Sequence, residues 1–80
     1  MSNLEIYDQS FCQSFSISIS QLGETLEYNS IPEWDSIGHM ELMAALEEAF
    51  DIALEMDDII DFSSYKVGKE ILKKYKVNIS

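Results

Sequence analysis

The chain has 80 residues, a formal net charge of −10, 46% hydrophobic and 11% aromatic residues, three glycines and one proline. A chain this short makes one small domain, residues 1–80, whose thin core argues against an enclosed active site and hence against an enzyme, and the composition excludes a disordered or low-complexity polymer. One cysteine, Cys12, permits no internal disulfide, no zinc-ligand spacing of Cys and His is present, and the acid excess repels nucleic acid and anionic lipid, so helix packing holds the core and the partners are basic proteins.

The N-terminal stretch MSNLEIYDQS lacks a positive region followed by apolar residues, and no run approaches membrane-spanning length. The sequence therefore reads as cytoplasmic, without membrane insertion. Leu4, Tyr7, Phe11 and Phe15 recur at helical spacing and predict a first helix near residues 3–15. SFSISISQL then alternates serine with Phe15, Ile17 and Ile19, a strand-like pattern with no second strand to pair with, so a helix end passing into a long loop is preferred. That loop is expected to run to Trp34, restricted by Pro32 and pinned to the core by Leu22, Leu26, Ile31 and Trp34.

From Ser36 to about Asp51, helix formers dominate, and Ile37, Met40, Leu42, Met43, Leu46 and Phe50 form a broad apolar face. Asp35 suits the N-cap of this second helix, where a carboxylate accepts from free N–H groups and favours the positive end of the dipole. Met40 and Met43 read as core or rim filler, and Cys12 as a small packing residue. A short third helix near 57–61 and a fourth near 65–75 follow, the latter with Val67, Ile71, Leu72 and Tyr75 on its apolar stripe and Ser63 or Ser64 as its cap. Residues 1–65 hold six Asp and eight Glu without a Lys or Arg, whereas 66–80 hold all five lysines and one Glu. The lysines thus sit at the favourable end of the last helix.

WDSIGHMELMAALEEAF followed by LEMDDIIDFSSYKV resembles the acyl carrier proteins and the related peptidyl and aminoacyl carrier domains, closely over roughly residues 31–72. In that family an Asp-Ser-Leu/Ile triplet opens the second helix, a Glu-Leu pair follows on it and Glu-Glu-x-Phe closes it. The resemblance implies an all-α, acyl-carrier-protein-like four-helix bundle with a long loop between helices 1 and 2 and a short third helix. It implies a non-catalytic carrier, with 4'-phosphopantetheine from coenzyme A attached covalently to Ser36 and acyl or aminoacyl cargo held as a thioester, in lipid, secondary metabolite or saccharide pathways. It also implies partners: a phosphopantetheinyl transferase, an acyl- or aminoacyl-activating enzyme, and an acyltransferase or synthase with basic docking patches, each meeting a monomer. Asp35, Ile37, Met40, Glu41, Glu47 and Glu48 are the implied partner-binding residues.

Trp34, where fatty-acid carriers have small residues, and Gly38 with His39 depart from the housekeeping pattern and favour a freestanding carrier of a dedicated pathway. For Ser36 alone the plain reading is helix capping, and for the glutamates a solvated face. Ser36 as a nucleophile with His39 as base is disfavoured, since no third group orients the imidazole; His39 is expected to face solvent. The rival reading is an unmodified acidic helical adaptor that regulates a basic partner.

Overall fold

A short polar side chain opens three of the four helices. In the computed structural model, which describes residues 2–79, α1 spans Asn3–Phe15, α2 Ser36–Phe50, α3 Met56–Asp61 and α4 Tyr65–Lys73. Ser2 Oγ accepts the Glu5 N–H, Asp35 Oδ1 the Gly38 N–H and Ser64 Oγ the Val67 N–H. Each bond satisfies one of the donors that a helix start leaves free. α1 and α2 both end on left-handed residues, Ser16 (φ 55°) and Asp51 (φ 54°). The expected small all-α fold, with a long connection after the first helix and a short third helix, is the one observed.

The serine–isoleucine segment forms no strand. The long loop holds only a single 3-10 turn, Ile19–Gln21, and an isolated antiparallel bridge between Glu27 and Ser64. At that bridge the Tyr28 N–H donates to Ser63 O and the Tyr65 N–H to Leu26 O, both at 2.9 Å. The middle of the loop is thereby clamped to the α3–α4 connection, with Leu26 buried beneath it.

Six aromatic residues, Tyr7, Phe11, Phe15, Trp34, Phe62 and Tyr65, fill the core with Leu42, Met43, Leu46 and Leu72. Tyr7 Oη donates to Tyr65 O at 2.6 Å and Tyr65 Oη to Asp8 Oδ1 at 2.5 Å, which ties α1 to α4. Burial pushes both phenols well above their ordinary range, Asp8 adding to the rise at Tyr65. Val67, expected on the buried stripe of the last helix, is exposed. The stripe instead uses Gly68, where a Cβ would fall 2.2 Å from Phe62 Cζ, so the Phe62 ring lies directly on the α4 backbone. α4 also stops at Lys73, short of residue 75: Lys76 turns left-handed (φ 65°), the Val77 N–H returns to Leu72 O, and Val77 and Ile79 enter the core.

The short α3 is fastened by its buried Asp58, which accepts from Lys74 Nζ and Tyr75 Oη. The hydrogen bond from Lys74, then that from Tyr75, holds the Asp58 carboxyl below the usual carboxylate range. A depressed folded-state pKa contributes stability above the unfolded value, about 3.9, that is lost as pH falls through the folded value. Asp58→Asn is therefore expected to melt lower than the wild type at neutral pH, with the gap closing below about pH 4. A gap unchanged across that range in pH-dependent thermal melts would contradict the assignment.

A second expectation concerns Gly38, where a Cβ would lie 2.0 Å from the Glu33 carbonyl oxygen. The obstructing atom is backbone, held by the buried Trp34 beside it, so alanine must displace the loop. Gly38→Ala is expected to destabilise by about 1–3 kcal/mol despite alanine's better helix propensity, or about 4–8 °C per kcal/mol in a domain of this size. Thermal circular dichroism checks it, and an unchanged melting temperature counts against it.

Candidate functional site

The site is built by one inward and two outward residues at the loop–helix junction. Asn29 takes a left-handed conformation (φ 69°) and its N–H donates to Trp34 O at 2.9 Å, while the Trp34 N–H donates to Ile31 O at 3.1 Å. This double turn drives the indole into the core, where it stacks on Phe15 (centroids 5.2 Å) and meets Phe11 edge-on (5.6 Å). With Trp34 inward, Asp35 and Ser36 emerge exposed at the start of α2. Ser36 is the first helical residue, and its N–H and that of Ile37 have no carbonyl one turn back within the helix. Its hydroxyl is thus accessible at the positive end of a helix dipole.

His39 does not face solvent as expected. It is half-buried between α2 and α3: its Nδ1 accepts the Trp34 Nε1–H at 3.0 Å and its Nε2 lies 2.7 Å from Ile59 O. The imidazole is a structural bridge, and nothing here places it as a base for Ser36. Beside it runs an apolar cleft of about 360 Å³, lined by Tyr28, His39, Met40, Met56, Ile60 and Phe62 among others, with Ser36 on its border. Around its mouth Ile37 (71%), Met40 (52%), Met56 (66%) and Ile60 (69%) are exposed. Met43 is core, as filler, whereas Met40 is rim.

Met56, Ile60 and Tyr28 were not singled out in the sequence. The available signal was the apolar pair Met56 and Ile60, four apart on an otherwise acidic short helix, which places both on one face.

The acidic residues separate into free and engaged groups. Asp35 is exposed but caps α2 through Oδ1. Ile37, Glu41 and Glu48 are exposed and lie at spacings of four and seven, one stripe running down α2 from the Ser36 end. Glu48 also borders a second groove, between α1 and α2 with Gln9, Gln13 and Ala45. Glu47 is half-buried, and its Oε2 accepts the Leu54 N–H at 2.8 Å, spanning the α2–α3 connection. Cys12 is half-buried on α1, where burial first and Asp8 second push its thiol up, so it stays protonated.

Among the described residues no group of acidic, histidine and cysteine side chains is arranged to hold a metal ion, and no helix is long and apolar enough to cross a membrane.

Residues 33–66, from the loop residue before Trp34 through α2 and α3 into the first turn of α4, match the family model described as phosphopantetheine attachment site. The match supports the carrier protein family, and a domain of this kind is the site of covalent 4'-phosphopantetheine attachment. Such domains are generally non-catalytic and interact with phosphopantetheinyl transferases and biosynthetic enzymes. No curated protein and no solved structure matches the chain at a significant level.

Proposed function

We propose that this phosphopantetheine-binding chain is, over residues 1–80, a monomeric cytoplasmic acyl or aminoacyl carrier whose arm is attached to Ser36. The observation that carries the reading is the exposed Ser36 hydroxyl, first in α2 and on the border of an apolar cleft, inside the matched segment. The residues present suit the arm. A phosphodiester at Ser36 meets the free N–H groups and the positive dipole of the α2 start. Asp35, the nearest carboxylate in sequence, is turned onto Gly38 N–H at 2.8 Å. The arm supplies a terminal thiol on which cargo rides as a thioester, and the protein supplies an address. The cleft, walled by Met40, Met56, Ile60 and Phe62, favours cargo with an apolar portion.

Partner recognition is assigned to Asp35, Ile37, Met40, Glu41 and Glu48, with Glu47 holding the α2–α3 connection beneath them. Partners are a transferase, an enzyme that loads the cargo and one that removes it, each bringing basic groups to the acidic stripe and an apolar contact to Ile37 and Met40. The departures at Trp34, Gly38 and His39 favour a dedicated pathway, in secondary metabolite or saccharide modification, over housekeeping lipid synthesis.

Incubation with coenzyme A and a phosphopantetheinyl transferase, read by intact mass, is expected to add the arm to the wild type and nothing to Ser36→Ala. Addition to the alanine variant moves the site elsewhere, and no addition to the wild type with several transferases favours the unmodified adaptor.

Reversing the acidic stripe is the companion test. Glu41→Lys with Glu48→Lys is expected to slow arm attachment while the melting temperature holds, since surface changes rarely exceed about 0.5 kcal/mol. Raising salt is expected to slow the wild type and narrow the difference between the proteins. Equal rates at low ionic strength would leave those glutamates as a solvated face.

A further inference from the structure

We propose that His39 is a positioning residue whose protonation releases α3 and opens the cleft beside Ser36. Its two partners leave one choice of tautomer. The indole Nε1–H of Trp34 can only donate, so the Nδ1 it meets at 3.0 Å carries no proton. The Ile59 carbonyl can only accept, so the Nε2 it meets at 2.7 Å carries the N–H. The Ile59 carbonyl also belongs to the last turn of α3, where carbonyls lack intrahelical partners, so the imidazole caps that end. Only neutral His39 fits both bonds. A proton added to Nδ1 would point at the Trp34 N–H, and the wholly buried indole cannot retreat through Phe11 and Phe15. The imidazole has to move instead, and moving it surrenders the Ile59 bond.

The other groups around the ring neither pair with a cation nor hold it in place. From the loop, Tyr28 faces it edge-on at 5.6 Å between centroids, and from the α3 end Phe62 does so at 6.3 Å. The Tyr28 phenol is the titratable group among these, and neither ring brings a carboxylate to the imidazole. On α2, the Asp35 carboxylate is occupied by the Gly38 N–H. On α3, Asp58 is turned to Lys74 and Tyr75, while Asp57 and Asp61 are exposed. The wall that moves carries Met56 and Ile60, two of the apolar residues of the cleft.

The closed arrangement binds no proton at Nδ1 and the open one binds one, so acid favours opening. With one proton linked to opening, the open fraction rises by up to about ten-fold per pH unit as the pH is lowered. The test is amide hydrogen exchange by NMR on the full unmodified chain between about pH 7.5 and 5, so its outcome stands apart from whether Ser36 carries the arm. Protection factors, corrected for intrinsic exchange, are expected to fall with pH at Ile59–Phe62, by up to about ten-fold per unit, while α1 and α4 hold. His39→Gln, which keeps a donor and an acceptor but does not titrate in this range, is expected to show flat α3 protection. The proposal is overturned by pH-independent protection in the wild type, by an equal fall in α1 and α4, or by an unchanged pH dependence in His39→Gln. If His39→Gln fails to fold, the wild-type contrast between α3 and the helices α1 and α4 decides.

Discussion

The burial of Trp34 is the constraint on which the rest of this small protein depends. An indole buries roughly 150–250 Å², and here all of it is spent at the last position of a long irregular loop, against Phe11 and Phe15 of the first helix. Once that residue is fixed, the chain after it has little freedom. The Glu33 carbonyl is pressed against the first turn of α2 so closely that only glycine fits at residue 38. Asp35 falls where it can cap α2, and Ser36 falls outside. An exposed hydroxyl at a defined point is thus a by-product of packing a large side chain two residues earlier.

The third helix shows the converse case. Six residues cannot form a stable helix alone, because so short a run barely repays nucleation. α3 is held by contacts from two other parts of the chain, the residues just after α4 and His39 on α2: Asp58 to Lys74 and Tyr75, the Glu55 N–H to Tyr75 Oη, and Ile59 O to His39. These bonds are polar; of its apolar side chains Ile59 packs against the core, while Met56 and Ile60 stay exposed. An element fastened by a few hydrogen bonds and one core isoleucine is one that can yield without unfolding the remainder. It borders the cleft next to Ser36 for that same reason: its apolar face has no other surface to cover.

Charge is distributed to match. Four of the five lysines fall on α4 or the residue after it, with Lys73 paired to Glu70 and Lys74 to Asp58. The α2 face carries its acids without cations among them. The apolar residues Ile37 and Met40 of the same helix are exposed as well.

Periodicity by itself determined the helices, because three- and four-residue spacing of large apolar side chains has one economical solution. Tyr7, Phe11 and Phe15 were legible as core in this way, and Asp35 as a cap from its place before helix formers, with Ser63 or Ser64 for the last helix, of which the structure uses Ser64. The register of Asp-Ser-Ile with the acidic helix behind it pointed to Ser36. What tertiary structure alone decided is where residues distant in the chain meet. His39 reads as a surface polar residue until Trp34 and Ile59 are brought to its two nitrogens, and Glu47 reads as a solvated acid until the Leu54 N–H is folded back to it. Val67 fits the apolar stripe of α4 until the Phe62 ring claims the backbone at Gly68. Spacing along one helix reports its own faces; it carries no information about which face a neighbouring turn covers, because that is set by the path of the connecting loops.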